Sequence, residues 1–182
     1  MQEIKTIYNV ENNNKLVRLE DEYKYQKDLT DKLDLIQSKF DQSIINEIVL
    51  WKVNRYVKIT DEALLLLNKI NRNDSVINID LTKEILQNLL NTPGIRIALA
   101  STILRFKNPD IYQIIDQRVY RFIHPYGEEL KNSTDRNKQI SLYLEYLERL
   151  HKVCLTNNIP FRDSDRILYI MDKEFNKDNK LK

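Results

Sequence analysis

The residues best placed to do chemistry lie between positions 93 and 125. Five cations, Arg96, Arg105, Lys107, Arg118 and Arg121, stand there against two acids, Asp110 and Asp116, whereas the rest of the chain is slightly acidic. A local basic excess marks where a polyanion would dock, and it equally describes a solvated basic face. The segment opens with Pro93-Gly94, the sharpest turn signal in the chain, because proline fixes φ and glycine accepts a positive φ. A helix that starts just after such a turn presents unpaired N–H groups and the positive end of its dipole, and these bind phosphate without a side chain. A plain corner between two helices has the same sequence. Farther on, Asp116 follows the apolar run from Ile111 to Ile115 and precedes a helical stretch. It reads either as a helix N-cap or as a carboxylate partly shielded from water, whose charge acts strongly on its neighbours. Trp51, Lys52 and Arg55 sit on adjoining faces of one helix, available to a ligand or to the core. His124 and His151 have no partner at metal-ligand spacing, and Cys154 lies on an apolar helical face, so histidines satisfied locally and a buried thiol are expected.

Composition limits the elements that can hold these residues. Two glycines and four prolines in 182 residues are too few for a turn-rich β-sandwich, a Rossmann phosphate loop or a Walker loop. A mostly helical protein of one ordinary domain remains. Apolar residues at 42% and charged residues at 31% describe a soluble chain with a sizeable core. One cysteine excludes a disulfide framework, a multi-cysteine zinc site and a four-cysteine iron–sulfur cluster within the chain, and fits a reducing cytoplasm. No signal-peptide core follows Met1, and the longest aliphatic run, Ala63 to Leu67, is too short to span a bilayer.

Apolar periodicity and turn chemistry divide the chain. Residues 1–42 are charge-dense, with Leu16, Leu19, Tyr23, Leu29, Leu33, Ile36 and Phe40 recurring as on amphipathic helices that dock on a core, and Asn12-Asn13-Asn14 as a loop. Residues 43–176 form the principal domain and 177–182 a polar tail expected to fray. Within the domain, helices are expected over 43–56, 60–70, 81–90, 97–106, 119–123, 139–156 and 164–175, broken at Asn71 to Ser75, Pro93-Gly94, Asn108-Pro109-Asp110 and Pro125-Tyr126-Gly127. Thr60 before Asp61-Glu62 reads as an N-cap.

The order of these features carries more than any one alone. Leu90-Asn91-Thr92-Pro93-Gly94-Ile95-Arg96-Ile97-Ala98-Leu99-Ala100-Ser101-Thr102-Ile103-Leu104 resembles the helix-hairpin-helix of the DNA glycosylase superfamily that includes endonuclease III and 8-oxoguanine glycosylase. Ile114-Ile115-Asp116-Gln117-Arg118-Val119-Tyr120-Arg121 resembles that superfamily's second motif, at the spacing of the endonuclease III branch. The resemblance covers about residues 84 to 124, with weaker likeness at Trp51 to Arg55 and Phe161 to Lys173. It implies an all-α helix-hairpin-helix glycosylase-like bundle that binds double-stranded DNA. On the same ground Pro93, Gly94, Ile95, Arg96, Arg118 and Arg121 would meet DNA, Asp116 would be the catalytic carboxylate, and Trp51, Lys52, Arg55 and Gln117 would line a base pocket or touch DNA. Such a carboxylate stabilises positive charge developing on deoxyribose and orients water. Arg96 replaces the usual second hairpin glycine. Ala98 stands where bifunctional members carry a nucleophilic lysine, so a monofunctional hydrolase without a lyase lysine is expected. No redox cofactor, iron–sulfur cluster, zinc or other metal follows, although a monovalent cation on hairpin carbonyls belongs to the resemblance. Two alternatives remain: a catalytically inactive helix-hairpin-helix DNA-binding module, and a protein-docking role for the N-terminal helices with the hairpin as a corner. No membrane partner is expected, the location would be cytoplasmic, and the oligomeric state stays open, a monomer included.

Overall fold

The computed structural model describes residues 4–10, 26–53, 57–131, 133–179 and 181. Among them the regular structure is entirely helical: α1 Lys27–Asp34, α2 Gln42–Val53, α3 Asp61–Leu67, α4 Ile79–Asn91, α5 Ile97–Lys107, α6 Gln117–Phe122, α7 Arg136–Asn157 and α8 Ser164–Phe175. A 3₁₀ turn, Phe161–Asp163, leads into α8. Side chains start several of these helices by taking an otherwise unpaired N–H. Thr60 accepts from Ala63 N at 3.2 Å and Asn78 from Leu81 N at 3.0 Å. Asp135 accepts from Asn137 N at 2.9 Å, which starts α7 three residues earlier than its apolar periodicity suggests.

Helix α5 is the axis of the molecule, packed on α2, α4 and α7. Ala100 and Ser101, both fully buried, allow the close approach that their small size suggests. Helix α6 packs on α8, and α3 on α4. The apolar periodicity carries α3 to Ile70, yet the helix ends at Leu67, with Asn68 as its C-cap. Its side chain accepts from Phe40 N at 2.8 Å and donates to Phe40 O at 2.9 Å, which ties the loop before α2 to the end of α3.

The described parts of the N-terminal segment pack on the domain. Leu33 and Phe40 are buried, and Ile7 N donates to Phe122 O at 2.9 Å. Positions Asn12 to Asn14, Leu16, Leu19 and Tyr23 lie outside the described residues. At the other end, Asn176 is buried and bonds both backbone groups of Lys5, while Asn179 O accepts from Arg121 Nη1 at 2.9 Å. The start of the tail is therefore pinned.

The basic excess of residues 93–125 proves to be largely internal. Arg105, Lys107 and Arg121 are all buried. Arg105 Nη1 bonds Asp34 Oδ1, and Arg166 Nη2 takes Asp34 Oδ2 at 2.7 Å. Lys107 Nζ donates to Asn68 Oδ1 at 3.0 Å and lies 4.7 Å from the centre of the Phe40 ring. Arg72 donates to the carbonyls of Phe106, at 3.0 Å, and of Asp34. The negative ends of α1 and α5 thus converge on Arg72 rather than on capping glycines.

Candidate functional site

The hairpin forms as its residues demand. Ile95 N donates to Thr92 O at 3.1 Å, closing a turn in which Gly94 has φ 87°, a value that favours glycine over any residue with a Cβ. Pro93, Gly94 and Arg96 are exposed, while Ile95 is buried and anchors the turn in the core. Any contact from Ile95 to a ligand is therefore made by its backbone. Arg96 occupies the N-cap of α5 in extended conformation and makes no side-chain cap, so the first N–H groups of α5 stay available to an external acceptor. The hollow beside the turn is also lined by Arg136, whose Nε donates to Leu90 O at 3.3 Å. Arg136 was not legible as a site residue because it comes from α7, forty residues away. Its guanidinium stands against the Leu90 carbonyl at the end of α4.

From the hairpin, α5 leads to the second feature. The loop after α5 returns along it, and Ser101 Oγ accepts from Ile115 N at 3.1 Å in a buried contact. Tyr146 Oη donates to Ile114 O at 2.7 Å and Tyr143 Oη to Gln113 O at 3.0 Å. These bonds hold the residue that follows, Asp116, at the N-terminus of α6. Asp116 Oδ1 accepts from Arg118 N at 2.8 Å, so the capping role is realised. Its other carboxylate oxygen takes no hydrogen bond from a described residue.

Asp116 lines a cavity of about 210 Å³ together with Trp51, Lys52, Ile114, Asp165, Arg166 and Tyr169. Pockets for drug-sized ligands run to roughly 300–1,000 Å³, so this smaller cavity is scaled to one compact ring system, single or fused. Three of its walls come from separate elements: α2, the loop before α6, and α8. Trp51 is buried, donates Nε1–H to Thr30 Oγ1 at 2.7 Å and meets Phe106 edge-on with centroids 5.2 Å apart. It is a core residue with one border on the cavity. Lys52 stands beside it, 5.8 Å from the indole centre.

Other expected contacts are placed differently. Arg121 is 1% exposed and holds Asp172 through Nε at 2.6 Å and Nη2 at 2.9 Å, so it is a core ion pair and not a DNA contact. Arg118 is partly exposed, yet its Nη1 bonds Asp172 Oδ2 at 3.0 Å and its guanidinium lies 5.9 Å from the Tyr169 ring. Both arginines brace α6 against α8, which fixes the helix whose N-cap is Asp116. Gln117 is half-buried and does not line the cavity, and Arg55 lies outside the described residues. His124 is satisfied locally, its Nδ1 2.6 Å from Tyr120 O, and burial lowers its pKa. Cys154 is buried, with its thiol pushed up to about 12 by desolvation.

Asp165, Arg166 and Tyr169 complete the cavity although none was singled out in the sequence. For Asp165 and Arg166 the signal was present in the acid-base run Phe161 to Arg166, but an acid at the start of a helix ordinarily reads as a dipole partner. Asp165 is 5% exposed. Burial pushes its carboxyl up, against the opposing pull of Arg105 and Arg166. Both guanidiniums are bonded to Asp34 instead, and the one described partner of Asp165 is Arg166 N, at 2.8 Å on Oδ1. Among the described residues no group of three or more histidine, cysteine, aspartate or glutamate side chains is arranged to hold a metal, and no helix is long and apolar enough to cross a membrane. Compared with protein-family models, curated proteins and solved structures, the chain matches none of them.

Proposed function

We propose that this protein is a DNA glycosylase that docks on duplex DNA through the Pro93-Gly94 hairpin and hydrolyses the N-glycosidic bond of a damaged or modified base turned into the Asp116 cavity. The observation that carries this reading is the meeting of Asp116, Trp51 and Lys52, from two distant parts of the sequence, around a space scaled to one nucleobase. A base must leave the stack to reach such a cavity. Once there, an aromatic border and a carboxylate beside the sugar are what the reaction needs: bond breaking places positive charge on deoxyribose, and Asp116 is held to stabilise it and orient water. Exposed Arg96 and Arg136, with the open end of α5, supply the phosphate contacts.

Single-turnover excision on duplexes carrying alkylated, oxidised, deaminated or bulky bases tests the reading. Asp116→Asn should keep the fold and DNA affinity, because asparagine caps nearly as well, while release falls about a hundredfold or more. Equal rates for the two proteins would remove Asp116 from the chemistry. One observation favours the alternative of an inactive DNA-binding module: an Asp116 oxygen is already engaged as the cap of α6. That reading expects DNA binding with no base released from any duplex.

A further inference from the structure

Two carboxyl groups line the cavity, and they differ in surroundings. Asp116 is partly exposed at a helix start, whereas Asp165 is nine-tenths buried in the first turn of α8 and borders the same space. No described cation lies within ion-pair distance of Asp165. A buried carboxyl without a cation partner is costly when ionised, and a protein that keeps one at the edge of a cavity keeps a group able to hold a proton there. We infer that Asp165 is the proton donor of this site, delivering its proton to a ring nitrogen of a purine seated in the cavity while Asp116 faces the sugar. The inference rests on the glycosylase reading and adds to it the class of base, one with an unprotonated basic ring nitrogen.

The step balances. The O–H bond of the Asp165 carboxylic acid breaks as an N–H bond forms on the purine, and the C1′–N bond breaks with its electron pair leaving on the base. Positive charge on the sugar is stabilised by Asp116; water adds to C1′, and the proton it releases returns to Asp165. The charged and titratable groups around Asp165 are Arg105 on α5, Arg166 on α8, Lys52 on α2, and Tyr143, Tyr146 and Cys154 on α7, with Asp116 also acting on Tyr146. Burial outweighs the cations, so the carboxyl is raised above the usual aspartate value. A raised folded-state pKa makes its contribution to stability full below the unfolded value of about 3.9 and lost as pH rises through the folded value.

The test uses Asp165→Asn, which keeps the oxygen that accepts from Arg166 N. Thermal unfolding from pH 4 to pH 8 needs no substrate: the variant should gain in Tm relative to the parent as pH rises. Excision is then followed on duplexes with one hypoxanthine, one N6-methyladenine or one 7-methylguanine. The parent should release the neutral purines more slowly as pH rises, and Asp165→Asn should lose about a hundredfold or more on them, the scale of general-acid catalysis. Loss on 7-methylguanine should be far smaller, since that base already carries the charge a proton would supply. Equal losses on charged and neutral purines, no loss on neutral ones, release of pyrimidines only, or a Tm difference that ignores pH would each overturn the assignment of Asp165. Absence of release from every duplex by the parent protein would overturn the glycosylase reading itself. If the variant misfolds, the carboxyl carbon shift of Asp165 in the unsubstituted protein decides, because titration in the ordinary aspartate range rules out a retained proton.

Discussion

Arg121→Met separates a core ion pair from a phosphate contact. Arg121 and Asp172 are each 1% exposed or less, and the guanidinium meets both carboxylate oxygens. Removing one partner of a buried pair costs about 3–5 kcal/mol, because the other charge is left without compensation. Here the lower end applies, since Asp172 keeps Arg118 Nη1 at 3.0 Å and Asn176 Nδ2 at 3.0 Å. For a domain of this size about 1 kcal/mol moves Tm by roughly 2–4 °C, so a fall of about 6–12 °C is expected in calorimetry, with a matching drop in urea midpoint. The double variant Arg121→Met with Asp172→Leu should recover part of the loss, because it removes both buried charges. In DNA titrations at several salt concentrations, Arg121→Met should leave the slope of log affinity against log salt as it was. A variant of near-parental Tm whose salt slope falls by about one phosphate would show that Arg121 faces DNA, and the buried clamp between α6 and α8 would be refuted.

Arg96→Glu and Arg136→Glu should each weaken binding to all duplex sequences alike and flatten the salt dependence, since phosphate contacts carry no base information; unchanged isotherms would take the hairpin out of the binding surface. Ala98 supplies no amine and water is the expected nucleophile, so the product should be an intact abasic site, with no borohydride-trapped protein–DNA complex. Among the described residues Lys52 is the lysine that borders the Asp116 cavity, and a trapped complex that disappears in Lys52→Gln would make it the nucleophile instead.

Helix starts were legible where a capping residue or a turn stood out: Thr60 and Asp116 act as caps, and Pro93-Gly94 turns the chain. Asn78, which starts α4 two residues before its apolar periodicity does, was passed over. The end of α3 was not legible, because it depends on Asn68 reaching Phe40 across twenty-eight residues. Charge gave the wrong surface for a similar reason. Arg105, Lys107 and Arg121 look like a basic face in sequence, but whether a cation points inward depends on Asp34, Asn68 and Asp172, which lie far along the chain. Asp116 and Trp51 stood out through motif and residue type, whereas Asp165 entered the site only when α8 closed one wall of the cavity.

The bond between Ser101 and Ile115 turns α5 into a ruler. Ser101 lies five residues beyond Arg96 on an uninterrupted helix, a rise of about 7.5 Å. Whatever seats on the hairpin is thereby set at a fixed height and angle from Asp116, with no loop between to absorb an error. One residue inserted between Arg96 and Ser101 would rotate the second point by about 100° around the helix relative to the first. The length of this stretch of α5 is therefore constrained as tightly as the identity of the residues at its ends, even though no side chain within it need touch a ligand.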